Sequence, residues 1–147
     1  MTVSNEGIAL IKSFEGYRGN AYRCAAGKLT IGYGHCIQAN EPGLVHAHLS
    51  EPRAAELLRA DMCHYAPYVA HALHGQLVTQ HQFDALTSFA YNCGEGAVAK
   101  LVAHLNFDKP DPAQVRWRFG QWCHAAGRVL DDLVVRRRKE AALFLQP

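Results

Sequence analysis

The sequence predicts an α+β fold: a small N-terminal lobe holding a helix and a β-hairpin, a long connecting helix, and a larger C-terminal helical lobe. Three observations carry this. Apolar residues at helical spacing, Ile8, Ile11 and Phe14, give way to a period-two run at Leu29, Ile31 and Tyr33. A long helical pattern then runs from Ser50 to Leu73. Finally, the segment from Phe83 to Asn92 is apolar nearly all round, which marks the centre of a lobe rather than its surface. The 147 residues are enough for one domain with a sizeable core, or two lobes sharing one. The expected division of this single domain, residues 1–147, is a small lobe over about 1–50, a connecting helix over about 51–73 and a helical lobe over about 74–147.

Each element has a local reason. Ser4 or Asn5 can cap the helix over residues 5–15, and Gly16 can stop it. This puts Glu15 in the last turn, where the negative end of the helix disfavours a second negative charge and so suits a protonated acid. Residues 21–24 and 28–35 read as two strands around Ala25-Ala26-Gly27. One face of the second strand carries Leu29, Ile31 and Tyr33. The other carries Thr30, Gly32 and Gly34, which leaves backbone open to a ligand or, equally, to solvent. Residues 36–49 look irregular, punctuated by Pro42-Gly43. Ser50 caps the connecting helix, which bends at Pro67. Thr79 and Gln82 form a capping box before the apolar helix that Gly94 ends. Helices follow over Ala97–Leu105, from Asp111-Pro112 through Trp117 and Trp122, and from an Asp131 or Asp132 cap to about Leu145.

Composition narrows the function. Hydrophobic residues make up 49% and charged residues 19%, the balance of a folded globular chain. The formal net charge is only +2, and no zinc-finger, RNP-like or Arg-rich groove-binding pattern is present, so no nucleic-acid partner is expected. No stretch approaches the length of a membrane span, and the N-terminus lacks a signal-peptide pattern, so no membrane insertion is expected. Five scattered cysteines, Cys24, Cys36, Cys63, Cys93 and Cys123, argue for reduced thiols, with Cys63, Cys93 and Cys123 as small core residues. The nine histidines include the close pairs His46/His48 and His71/His74, but neither pair has an evident third ligand, so no metal is expected. In Arg136-Arg137-Arg138-Lys139, three successive arginines span most of a helix's circumference. At least one should face inward, toward another lobe or an acid.

The chemistry concentrates in Glu15, Cys24 and Thr30. Eight residues separate Glu15 from Cys24, and five separate Cys24 from Thr30. A lone acid delivered to the mouth of a polar hairpin is the layout of a glycoside-cleaving cleft. This spacing, followed by Thr30-Ile31-Gly32-Tyr33-Gly34-His35, resembles the phage-type lysozymes, the T-even and lambdoid endolysin family. Leu49-Ser50 with Asp61, the stretch Phe83 to Gly94, and Leu133-Val134-Val135-Arg136-Arg137 with Glu140 and Leu143-Phe144 are similar to further motifs of that family, in order.

The resemblance implies a lysozyme-like fold and hydrolysis of the β-1,4 bond between N-acetylmuramic acid and N-acetylglucosamine in peptidoglycan, without cofactor. Glu15 would be the general acid, Thr30 would hold the attacking water, and position 24 would lie opposite. The family places an Asp or, in some members, a Cys there. Cys24 leaves the two-carboxylate scheme incomplete: it either positions water or, as thiolate, stabilises positive charge. Substrate contacts are expected from Gly32, Tyr33, His35, Asn92 and Arg137, with His35 paired to Asp61. A monomer acting on glycan strands is implied, kept in the host cytoplasm until a holin-type membrane lesion releases it to the periplasm. A lytic transglycosylase, a zinc cell-wall amidase and a catalytically silent peptidoglycan-binding protein are the alternatives.

Overall fold

A computed structural model describes all residues, 1–147. It has the expected α+β arrangement of six helices and two small sheets. Helix α1 spans Asn5–Glu15; the Ser4 hydroxyl accepts from the Gly7 N–H at its start, and the Gly16 N–H closes its end on Lys12 O. Ser4 also donates its N–H and hydroxyl to the Asp84 carboxylate, so the cap of the first helix is tied to a helix of the other lobe.

Strands β1 (Arg18–Arg23), β2 (Leu29–Gly32) and β3 (His35–Cys36) form an antiparallel meander. The expected second strand over 28–35 is therefore two. Gly32 (φ 68°) and Gly34 (φ 84°) turn the chain back at Tyr33-Gly34, pairing Ile31 with His35 and Thr30 with Cys36. A short 3-10 turn at Pro42–Val45 leads to α2, Glu51–Ala72. Its 22 residues span about 33 Å, and the helix runs through Pro67. Ser50 caps it, as expected.

In the larger lobe, α3 is Gln80–Cys93, opened by the Thr79–Gln82 capping box with both reciprocal bonds present. Helix α4 (Glu95–Val102) starts directly after Gly94, earlier than the spacing suggested. Helix α5 (Pro112–Gly120) stops at Gly120 and excludes Trp122. A hairpin that sequence reading missed follows: β4 (His124–Ala125) and β5 (Arg128–Val129), turned by Ala126 (φ 51°) and Gly127 (φ 77°). Two successive positive φ values are the signature of a tight hairpin turn. Helix α6 is Asp131–Phe144. Its cap is Leu130, not an aspartate; Asp131 and Asp132 lie in the first turn, where the helix's positive end favours them.

Two cores explain the lobes. Ile8, Ile11, Tyr33, Ala54, Leu58 and Met62 form the smaller. The larger gathers around Phe83, Phe89, Phe119 and Phe144 and includes Val69 and Ala72. One face of α2 therefore serves the small lobe in its first half and the large lobe in its last turns. The cysteine expectation needs correcting: Cys123 is buried, but Cys63 is exposed and Cys93 only partly covered. Cys63 lies on the solvent side of α2, outside both clusters. No helix is long and apolar enough to cross a membrane.

Candidate active site

Helix α1 ends by delivering Glu15 to the seam between the lobes. Its Oε1 accepts from Arg136 Nη1 of α6 at 2.6 Å. The β2–β3 turn passes beneath: a Cβ on Gly34 would come within 2.9 Å of Glu15 Oε2. Glycine is needed there both for its φ and for that approach. Tyr91 of α3 donates its hydroxyl to Tyr33 O at 2.9 Å, fixing this turn against the large lobe.

Arg136 is 5% exposed and belongs to a buried network. Its Nε donates to Glu140 Oε1 at 3.1 Å and its Nη2 to Ser88 O at 3.1 Å, while its guanidinium lies over the Phe14 ring. Ser88 donates to the same Glu140 oxygen at 2.7 Å. The orientation of Glu15 is thereby set from α3 and α6 as well as from its own helix. The sequence assigned Arg137, not Arg136, to the site. The inward-facing arginine was foreseen, but only the packing decides which of the three meets the acid.

Cys24 sits in the β1–β2 connection. Its N–H donates to Lys28 O at 2.9 Å and its carbonyl accepts from Gly27 N–H at 2.8 Å, closing a tight loop. Within this loop the backbone N–H groups of Lys28 and Ala26 face the sulfur and, with the Thr30 hydroxyl and the Lys28 charge, hold the thiol below its ordinary pKa. Thr30 is buried (4% exposed), with its hydroxyl donating to Lys28 O at 3.0 Å. It lies across the ladder from Tyr22. The Tyr22 phenol is raised chiefly by burial, against which Arg18 acts, and the charges of Glu15 and Cys24 add to the rise. Tyr22 was not among the residues singled out from sequence, and its type alone gave no signal.

The five expected substrate contacts separate into two groups. Asn92 is exposed at the end of α3, its Oδ1 held by Arg137 Nη2 at 2.7 Å. The other four are buried and engaged within the protein. Gly32 faces Ala54 of α2, which a Cβ would meet at 3.3 Å; the open backbone expected there is covered by the connecting helix. Tyr33 donates its hydroxyl to Glu51, and burial with that carboxylate pushes its pKa up to about 12. Arg137, 1% exposed, also donates to Cys93 Sγ at 2.8 Å and lies over the Phe89 ring. These three shape the frame that presents Glu15 and Asn92.

His35 joins Asp61 as expected, its Nδ1 lying 2.8 and 2.9 Å from the two carboxylate oxygens. Its Nε2 meets Glu41 at 2.9 Å, a partner the sequence did not reveal. With a carboxylate on each nitrogen, the ring satisfies both only as imidazolium. The hydrogen bond to Asp61, with Glu41 adding to it against the burial penalty, raises the His35 pKa to about 9.

Two lobes joined by a long helix, with one carboxylic acid clamped at their seam, define the class of protein. The chain belongs to the phage lysozyme family, whose model matches residues 12–140. It is 42% identical over 149 residues to the endolysin of Bacillus phage B103, covering 99% of this chain and 54% of that protein, so it spans about half that relative's length. The endolysin from Escherichia coli O157:H7 phage FAHEc1 has a similar structure, with a TM-score of 0.85 and 30% identity over 99% of this chain and 94% of that one. The muramidase domain of SpmX from Asticaccaulis excentricus matches with a TM-score of 0.83 and 34% identity over 99% of both chains.

Proposed function

We propose that this chain is a phage endolysin that hydrolyses the β-1,4 bond between N-acetylmuramic acid and N-acetylglucosamine of peptidoglycan and so lyses the host. The observation that carries this reading is the Glu15 carboxyl at the lobe seam, gripped by Arg136 at 2.6 Å, with Gly34 leaving room beneath it. Glu15 gives its proton to the leaving glycosidic oxygen. As the carboxylate forms, Arg136 stabilises it, and the cation is already in place at no cost in reorganisation. Water held by Thr30 and Cys24 attacks the anomeric carbon from the opposite face, inverting it, and the Cys24 thiolate takes the water's proton. The lowered pKa of Cys24 supports this role, because the backbone donors around it favour the thiolate at the position where other family members carry a carboxylate. Asn92 contacts the glycan, while Gly32, Tyr33, His35 and Arg137 act through the frame.

Residues 1–147 are read as one domain and the protein as a monomer. It needs no cofactor, and it reaches the periplasm through a membrane lesion made by a holin-type partner. The test is loss of turbidity of outer-membrane-stripped Gram-negative cells, with mass spectrometry of the released fragments. Hydrolysis leaves reducing muramic-acid ends that contain the added water. Anhydro ends lacking it would make the protein a transglycosylase, and released peptides with intact glycan would make it an amidase.

A further inference from the structure

Tyr33 is held at both ends. Its backbone carbonyl accepts the Tyr91 hydroxyl at 2.9 Å, across the seam from α3 of the larger lobe. Its own hydroxyl donates to Glu51 Oε1 at the start of α2, and Lys12 Nζ of α1 reaches the same oxygen at 3.0 Å. Lys12 also lies over the Tyr33 ring, 5.0 Å from its centroid. The Tyr91 ring is itself fixed. It meets Tyr65 of α2 edge-on at 5.1 Å and packs against the smaller core, although its helix belongs to the larger lobe. Burial raises the Tyr91 phenol above its ordinary value, with Asp61, Glu15 and Tyr65 adding and Arg136 opposing, so the hydroxyl keeps its proton and stays a donor. The Tyr33-Gly34 turn is therefore pinned from three helices, α1, α2 and α3, as well as by its own short strands.

What the turn faces is the acid. A Cβ on Gly34 would lie 2.9 Å from Glu15 Oε2 and 3.3 Å from the Tyr91 hydroxyl, so turn, phenol and carboxyl converge on one point. Glu15 Oε1 already accepts from Arg136, and a guanidinium can only donate. The oxygen left to carry the acidic proton is Oε2, the one the turn approaches. We propose that Tyr91 is a positioning residue for this proton. By holding the Tyr33 carbonyl, while Glu51 holds the Tyr33 hydroxyl, it sets how closely the Gly34 turn approaches Glu15 Oε2 and so aims that oxygen at the glycosidic bond. Tyr91 acts through the turn and does not touch the substrate. The inference rests on the reading of Glu15 as general acid, for which a misplacement of about 1 Å is enough to cost roughly a hundredfold in rate.

Tyr91→Phe tests this, because it removes one oxygen and keeps the ring against Tyr65. In steady-state kinetics on solubilised peptidoglycan, kcat should fall about tenfold while KM stays within about twofold. Tyr33→Phe frees the other end of the strut and should also lower kcat. The double variant should lose less than the product of the two single losses, since both bonds act on one turn. NMR reads the turn without catalysis: in Tyr91→Phe the Gly34 amide signal should shift and broaden, while that of Gly127 in the β4–β5 hairpin stays in place. Wild-type kcat in Tyr91→Phe, a loss confined to KM, or single losses that multiply in full would each overturn the proposal. So would a lowered thermal midpoint with kcat unchanged, which would leave the bond a stabilising one only. The two readings fail separately. A folded Glu15→Gln protein that still cleaves would remove the general acid, whereas an unmoved Gly34 signal in Tyr91→Phe, with Glu15 still essential, would remove the brace alone.

Discussion

Cys24 offers a thiol where a second carboxylate would complete a two-acid scheme. The loop from Cys24 to Lys28 turns backbone N–H groups toward the sulfur, and these favour the thiolate. If that anion is what the reaction uses, Cys24→Asp matches or exceeds wild-type turnover, Cys24→Ser falls sharply, and Cys24→Ala is strongly impaired. Wild-type activity then gains with pH through the step in which the Cys24 thiol ionises, and Cys24→Asp loses that step. Initial rates of sacculus clearance across pH read this directly; full activity of Cys24→Ala would reduce the residue to a spacer. Alkylation gives an independent check. Cys63 is exposed and accessible too, so selectivity must come from the depressed Cys24 pKa rather than from burial of the other thiols. Peptide mapping after brief iodoacetamide treatment should find Cys24 labelled ahead of Cys63. Gly34 is the second residue with a sharp expectation. In Gly34→Ala the new Cβ meets the Glu15 carboxyl at a φ of 84°. The backbone strain costs on the order of 1–3 kcal/mol, and the displaced acid lowers turnover by at least about tenfold. Wild-type rates in that variant would remove the close approach from the account.

Between elements, His35 ties β3 to α2 and to the irregular segment carrying Glu41. Its folded pKa, about 9, lies above the ordinary histidine value of 6.5. The contribution is therefore fully present below the unfolded value and is lost as pH rises through the folded one. Glu41 titrates below its ordinary value, chiefly through the Gln38 N–H and then His35, so its share fades in acid. The pair should contribute about 2 kcal/mol near pH 6 and little near pH 10. Comparing denaturant midpoints of wild type and His35→Gln at the two pH values checks this; a difference independent of pH would contradict it. The same element shows what sequence can carry. Asp61 was readable as the partner of His35 from the family motif. Glu41 was not, because it belongs to a stretch with no periodicity. Helices with strong periodicity and side-chain caps, α1, α2 and α3, lie close to where the pattern put them. The β4–β5 hairpin escaped because each of its strands has two residues, too few for alternation to register.

Across the whole molecule, the last helix grips the first. Arg136 on α6 holds Glu15 on α1, while Ser4 at the start of α1 is bonded to Asp84 on α3. The acid therefore takes its position from both lobes, and α2, buried in both cores, keeps them at a fixed reach. The acid, the thiol and the hydroxyl were singled out from the sequence because their spacing is local and motif-like. Their organisers were not: Arg136, Gly34 and Tyr22 act through contacts made only when distant segments meet, and among three successive arginines the sequence alone gives each the same claim. The most direct test of Glu15 as the proton donor is Glu15→Gln, which keeps the size and the hydrogen-bond acceptor facing Arg136 but has no acidic proton to give. Its circular dichroism and thermal midpoint should show a folded protein, while turnover on sacculi falls at least about a hundredfold. A folded Glu15→Gln variant retaining more than about a tenth of wild-type turnover, far above the loss expected of a missing general acid, would place the catalytic acid elsewhere.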